Sequence, residues 1–490
     1  MSTVLCEIMT RRKNLKKKVI TSFYWLTGVT WLGQIFSWAV TLIVIRLLTP
    51  EDYGLLSMAT VLIGFLAILS ELGLGAAIIQ KKEITEDELK KIFGCVIVVG
   101  FFLCGAVWCV APLVAKFFKE PRVIPVMGLL SFNFILLSFY FLPQSLLQRN
   151  INYKRVSIID LTSIVCSSAV TLLLAWKSYG AWALVWGMIC VHLVKAVLYN
   201  FDQNLRYYPV FSLRGIRSML LFGGHISFSR MIWYFYSQAD VVIAGRVFGK
   251  GQLGVYSVAL QLVSIPLVKI GGIAHQLGLP AFSQIQDNLP AVQKNFLKIT
   301  KVLNLVSFPL YLGVASVVDV VLPVLLGDKW IESIVFIQIL CLVMPLRFLS
   351  TLFAPVVSAI GRPDVHTGNM IIAIIIMPVG FFVGCRWGLI GLCLAWVVAF
   401  PIFFLISVGR ILKVLRLPLR IFLKEFYLPA GASVCMTISL FLLKCTGIME
   451  LPPVLLIVIL CCFGALVYST AVMAIDRGVV SEMKLLFSSK

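Results

Sequence analysis

Charged side chains are scarce in this chain, and acidic ones scarcer still. Only 13% of its 490 residues are charged, 42 basic against 21 acidic, with four histidines. So few charges cannot cover a water-facing surface of this size. The 60% apolar share and the mean hydropathy of +1.00 put much of the outside against lipid. The same scarcity excludes reaction classes. No GxxxxGK[ST] frame is present, and the Gly249–Lys250 pair in "GRVFGKG" stands outside one, so ATP hydrolysis by that route is excluded. HExxH, a nucleophile elbow and metal-spaced His/Cys clusters are missing as well. No metal or cofactor is therefore expected, and the chain is not read as an enzyme. Its 13 cysteines form no CxxC pair, and most, such as Cys95, Cys104 and Cys393, sit in apolar runs as small hydrophobes. Long outer loops are lacking too: "TPEDYG", "KSYGA" and "CRWG" are too short to fold into a catalytic domain.

What is there is a series of apolar runs, each about the length that a helix needs to cross a bilayer. They predict an all-α integral membrane protein of about fourteen spans, near 22–47, 54–79, 92–114, 123–147, 157–176, 180–199, 218–241, 254–279, 299–322, 333–358, 365–384, 388–408, 426–444 and 452–474. The basic segment Arg11 to Lys18 precedes an apolar run too long for a cleavable signal, so that run reads as the first span. With the N-terminus inside, about 28 of the 42 basic residues fall on the cytoplasmic side. This predicts cytoplasmic termini and ties the net charge of +21 to the membrane surface rather than to nucleic acid. The expected organisation is a basic N-terminus (1–21), a first six-helix lobe (22–199), a cytoplasmic linker (200–217), a second lobe (218–408), a basic loop (409–425), two further helices (426–474) and a cytoplasmic tail (475–490).

The two lobes echo one another. "RLLTPEDYGLLSMA" from Arg46 matches "RVFGKGQLGVYSVA" from Arg246 at Arg, Gly, Ser and Ala. "YGAWALVWG" at 179–187 pairs with "WGLIGLCLAW" at 387–396. The first match joins the first and second spans of each lobe, the second opens the sixth, and six spans per copy is even. The repeats are therefore expected to be parallel, related by a pseudo-two-fold axis along the membrane normal.

The informative residues are charges inside spans, because an ionised group at mid-bilayer costs about 2.5–3.5 kcal/mol unless it faces a cavity or a partner. Candidates are Glu71, Asp160, Lys195, Arg230, Asp240, Lys269, Asp319 and Arg347, with His225 and His275. The seventh span is densest: His225, Ser229, Tyr236 and Asp240 fall near one helical face, with Arg230 beside it. That face reads either as a polar cavity wall or as paired groups that hold helices together. Lys269 and Arg347, if they face a water-filled path, make it net positive and suited to an anionic substrate such as a phosphate. Glu71 reads as a cap near the interface or as an ion-coupling carboxylate, and snorkelling is the favoured reading for Asp160 and Lys195.

Several strings together resemble one family: "IRLLTPEDYGLLSMATVLIGFLAILSELGLGAAIIQ" (45–80), "LPQSLLQRNINYKRVSIIDL" (142–161), "YGAWALVWG" (179–187), "QADVVIAGRVFGKGQLGVYSVALQL" (238–262), "LPAFSQIQ" (279–286) and "IGRPD" (360–364). The chain is similar to Wzx-type oligosaccharide flippases of the multidrug/oligosaccharidyl-lipid/polysaccharide (MOP) exporter superfamily, most of all to exporters of colanic-acid-type or teichuronic-acid-type polymers. The resemblance implies two six-helix lobes around a central cavity plus two C-terminal helices. It also implies flipping of an undecaprenyl-diphosphate-linked oligosaccharide across a bacterial inner membrane, with membrane lipids and the polymerase and chain-length proteins of the same pathway as partners. On this reading Arg230, Asp240, His225, Tyr236, Lys269 and Arg347 line the substrate cavity, and Glu71 and Asp240 are the candidate ion couplers. The alternative is an ion-coupled exporter of small molecules on the same fold, which an acidic rather than a basic cavity would favour.

Overall fold

A computed structural model describes residues 28, 33–34, 36–81, 83–202 and 208–475; the side chains of 202, 225, 226, 229, 270 and 272–277 are outside the description. Among the described residues all regular secondary structure is helical: α1 (Phe36–Leu47), α2 (Pro50–Ser70), α3 (Leu74–Gln80), α4 (Glu86–Phe118), α5 (Val123–Arg149), α6 (Tyr153–Trp176), α7 (Ala181–Asp202), α8 (Arg217–Pro266), α9 (Gly272–Ser283), α10 (Leu289–Leu326), α11 (Ser333–Ser350), α12 (Phe353–Ala359), α13 (Pro363–Gly384), α14 (Gly388–Leu415), α15 (Leu419–Lys444) and α16 (Pro453–Ile475). Eleven helical segments among these residues are long and apolar enough to cross a membrane. Two of the eleven, Arg230–Lys269 with 40 residues and Pro363–Leu415 with 53, are the longest, at least twice the roughly 20 residues that one crossing needs. Each is broken internally, the first at Gly249 and the second at the turn Cys385–Trp387. The start of the expected first span lies outside the described residues. Large side chains such as Phe102, Trp176 and Leu113 are exposed on these helices, as lipid-facing groups are.

Local chemistry sets the helix starts. Thr49 caps α2 in a reciprocal box with Asp52, followed by Pro50, and Thr85 caps α4 with Glu88 in the same way. Asp52 does double duty, since its Oδ1 accepts the Ala181 amide at 2.9 Å at the start of α7. Gly180 there has φ +59°, and a Cβ on it would lie 2.8 Å from that same oxygen. Both sequence echoes have structural counterparts. Thr49, the N-cap of α2, and Gly249, the non-helical break in α8, occupy matching slots. Gly180 and Gly388, opening α7 and α14, both have positive φ.

The chain divides into two compact units, the first comprising residues up to Phe235 together with Gly249–Gly251, the second Tyr236–Phe248 and Gln252 onward. In the first, α4 packs along α5, α6 along α7, and α2 against α5. In the second, α13 packs along α14 and α10 along α11 and α15, with α16 against α15 and α10. Helices that follow one another through short connections thus lie side by side, as in helical bundles. The final pair buries Met436, Leu440, Leu456 and Leu460 with Val320 of α10.

Candidate functional site

In the first unit the polar groups gather where a membrane helix breaks. α2 ends at Ser70, Leu72 and Gly73 have φ of +46° and +61°, and the chain resumes as α3. Non-helical backbone at membrane depth is tolerated only where protein or a cavity satisfies it. Here the first part of α8 supplies the cover. A Cβ on Gly73 would lie 2.3 Å from the Gly223 carbonyl oxygen, and one on Gly223 would lie 2.1 Å from that of Leu72, so both positions require glycine. Two turns further along α8, Arg230 pairs with Glu71 at 3.5 Å. The two side chains are 57% and 43% exposed, so the pair stands open to its surroundings. One more turn on, the Tyr234 hydroxyl donates to the carbonyls of Val61 at 2.9 Å and Thr60 at 3.2 Å. Gly64 leaves room for that hydroxyl, because a Cβ there would sit 2.3 Å from it. At the far end of α3, the Arg149 guanidinium donates to the carbonyl of Lys81 at 2.6 Å and to that of Ile78, capping the helix.

Behind the break, α5, α6 and α7 carry a second polar group. The Tyr140 hydroxyl and His192 Nδ1 are 2.9 Å apart, Lys195 pairs with Asp160 at 2.8 Å, and Tyr199 stacks on Tyr140. Snorkelling was the expected state of Asp160 and Lys195; the structure joins them to each other across α6 and α7. His192 escaped the sequence reading, though its spacing to Lys195 and Tyr199 (i+3 and i+7) places all three on one face of α7.

A third group stands at the start of α2 and the break in α8. Lys250 pairs with Glu120 at 2.9 Å and approaches Glu51 at 3.8 Å, while Arg122 pairs with Glu120 at 2.9 Å. The backbone follows just as closely: a Cβ on Gly54 would lie 1.7 Å from the Lys250 carbonyl oxygen. Glu51, Glu120 and Lys250 were legible as charges in short connections but not as partners, because their pairing depends on tertiary packing.

In the second unit the focus is Asp240, fully buried. Its carboxylate accepts from the Tyr256 hydroxyl at 2.5 Å, the Trp396 indole at 3.2 Å and the Val241 amide at 2.8 Å. The Trp396 N–H is shared with the Tyr256 oxygen at 2.9 Å. Arg347 lies 4.2 Å from the centroid of the Trp396 ring. One indole thus presents its N–H edge to a carboxylate and its face to a cation, the two favourable orientations of an aromatic quadrupole. The half-buried Arg347 acts electrostatically on both Asp240 and Tyr236. Tyr236 is buried against Phe403 at a centroid distance of 6.2 Å. Trp396 and Tyr256 are the members that sequence reasoning missed; both sit inside the echo strings, where they read only as core.

The predicted residues therefore fall into two sets. Glu71 and Arg230 meet in the first unit; Asp240, Tyr236 and Arg347 gather in the second. Lys269 is partly exposed on a π-helical turn, Leu267–Gly271, a local underwinding of the helix that is frequent at functional sites. The side chains of His225, Ser229 and His275 lie outside the described residues. Among the described residues no His, Cys, Asp and Glu cluster could hold a metal.

Comparison with known proteins places these features in context. Residues 43–335 match the profile of a family described as "Polysaccharide biosynthesis protein". The chain is 27% identical over 381 residues to the teichuronic acid biosynthesis protein TuaB of Bacillus subtilis, covering 77% of this chain and 79% of that one. It is 25% identical to the lipopolysaccharide biosynthesis protein WzxC of Escherichia coli over 420 residues, 85% of each. An uncharacterized membrane protein in the cps region of Klebsiella pneumoniae is 26% identical over 97% of this chain and 98% of its own. Among solved structures, the lipid II flippase MurJ in an inward closed conformation superposes with a TM-score of 0.75 at 13% identity, covering 92% of this chain and 99% of that one. An inward-facing MATE family multidrug transporter of the MOP superfamily gives 0.59 at 16% identity, covering 78% and 95%. The fold is thus the all-helical fold of the MOP superfamily, in a multi-pass membrane protein.

Proposed function

The chain belongs to the polysaccharide biosynthesis protein family, and from that premise we propose that it is a flippase for an undecaprenyl-diphosphate-linked oligosaccharide. It moves the repeat unit from the cytoplasmic to the outer leaflet of a bacterial inner membrane, where the glycan enters an exopolysaccharide, an O-antigen or a similar polymer. The observation that carries this reading is the half-exposed Arg230–Glu71 pair at the break between α2 and α3. A guanidinium held by one carboxylate at 3.5 Å, a loose contact, can be taken over by a diphosphate, which offers more charge and more acceptor oxygens.

In this proposal Arg230, Lys269 and Arg347 make the substrate path electropositive for the diphosphate, and His225 contributes polar wall for sugars. Of the two candidate ion couplers, Glu71 is the one open to exchange; Asp240 is enclosed by three donors and acts as the anchor that orients Trp396 beneath Arg347. Alternating access supplies the movement, with residues 22–199 and 218–408 as the two lobes. Both termini are cytoplasmic, on the side that the basic connections favour. The polymerase and chain-length proteins of the pathway act on what this protein delivers.

Deleting the gene in its native host tests the reading. The expected result is loss of the polymer with accumulation of polyprenyl-diphosphate-linked repeat units on the cytoplasmic side. Normal polymer, or loss of polymer without accumulated lipid-linked units, would refute it.

A further inference from the structure

Away from the groups assigned to transport, α10, α11 and α15 of the second unit enclose a pocket of about 450 Å³. One end of it is polar. The Lys444 ammonium donates to both oxygens of Asp319 at 2.5 and 2.7 Å and to the Ser316 carbonyl at 2.6 Å. Gln338 lies beside them, its amide donating to the Ala315 carbonyl at 3.3 Å. The rest of the lining is apolar, including Leu312, Leu342 and Phe441. Leu342 and Phe441 are 54% and 67% exposed on membrane helices, so the pocket opens sideways toward lipid. Lys444 is the last residue of α15, and Asp319 stands about 10 Å before the end of α10. The charged end therefore lies at headgroup depth, with the apolar lining running toward the bilayer interior.

We propose that this pocket binds a zwitterionic phospholipid with a primary-amine headgroup, phosphatidylethanolamine, its ammonium at Asp319 and its phosphate in the field of the Lys444 charge, whose three N–H groups stay on Asp319 and Ser316. The charge pattern selects this class. The Asp319–Lys444 pair is net neutral, so it offers a net-anionic headgroup no net attraction. A carboxylate offers about four lone-pair positions and Lys444 takes one on each oxygen, which leaves acceptor capacity on a side chain that is 39% exposed. A quaternary choline has no donor to use that capacity; a glycerol headgroup can donate O–H, but only a primary ammonium also brings the positive charge that makes such a bond to a carboxylate a charge-assisted one. The acyl chains continue over Leu342 and Phe441. Since α15 belongs to the C-terminal helix pair, the site gives that pair a role in lipid binding.

Native mass spectrometry of the purified, delipidated full chain tests the site, with phosphatidylethanolamine, phosphatidylcholine and phosphatidylglycerol added in turn. The expected result is preferential retention of phosphatidylethanolamine. Asp319→Asn should weaken it about 10- to 100-fold, the worth of a charge-assisted hydrogen bond. Leu342→Trp, which fills the pocket and leaves the ion pair intact, should abolish the preference, and it decides the matter should Asp319→Asn fail to fold. Water-soluble glycerophosphoethanolamine at the same concentration should not displace the lipid. Equal retention of all three lipids, an unchanged preference in Leu342→Trp, or displacement by the soluble headgroup would each overturn the proposal.

Discussion

Replacing Arg230 by Ala separates a transport role from a structural one. At 3.5 Å a pair of unit charges attracts by about 4–5 kcal/mol at an effective dielectric of about 20. Both Arg230 and Glu71 are more than a third exposed, so solvent screening and side-chain entropy reduce the net contribution to about 0.2–1 kcal/mol. The backbone contact of Gly73 with Gly223 and the Tyr234 hydrogen bonds, which hold α8 on the break, do not involve Arg230. Arg230→Ala should therefore leave membrane abundance near wild type and lower the melting temperature by no more than about 2–4 °C. Transport should respond far more strongly. If the guanidinium gives one or two charge-assisted hydrogen bonds to the diphosphate, its loss costs about 1.5–3 kcal/mol per bond, a fall of about 10- to 100-fold or more. Arg230→Lys keeps the charge but not the fork, and should fall between the two. The assay is polymer synthesis in a deletion strain carrying each variant, normalised to the protein in the membrane. Wild-type polymer from Arg230→Ala, or a loss that tracks a matching loss of protein, would refute the reasoning.

Asp240 should behave in the opposite way. Asp240→Ala removes a buried carboxylate from three donors and from Arg347, at a cost of about 3–5 kcal/mol, and should lower abundance as well as transport; Asp240→Asn, which can still accept from Tyr256 and Trp396, should keep abundance near wild type. Thermal melts of the detergent-purified variants check both. Gly54→Ala places a methyl 1.7 Å from the Lys250 carbonyl oxygen, so it should cost about 1–3 kcal/mol or more and reduce the yield of folded protein in size-exclusion profiles. Single cysteines at 83–91 and 410–424 should react with an impermeant reagent only from the cytoplasmic side, and those at 116–122 only from outside; the reverse pattern would overturn the orientation.

How much was legible in the sequence followed the range of the interactions. Long apolar runs report their environment locally, so the all-helical membrane fold could be read directly, and the strings that hold Gly180 and Gly388 stood out as a repeat, though their turn role did not. Pairing could not be read. Asp319 and Lys444 are 125 positions apart, Asp240 and Trp396 156, and Glu71 and Arg230 159, and no periodicity connects such residues. The helical face drawn through the seventh span grouped Asp240 with Arg230, yet the first residue belongs to the second unit and the other to the first. The break at Leu72–Gly73 was hidden because "LGLG" reads as ordinary apolar sequence; only the backbone reveals that α2 stops there.

The central claim is that this chain carries a diphosphate-linked glycolipid across a bilayer. The most direct measurement places the purified protein in liposomes with a fluorescent polyprenyl-diphosphate oligosaccharide and follows its accessibility to an impermeant quencher. The account predicts that protein-containing vesicles expose the inner-leaflet fraction with time, and that Arg230→Ala vesicles do so about 10- to 100-fold more slowly. Equal rates in protein-free and protein-containing vesicles, under every ion gradient applied, would contradict it.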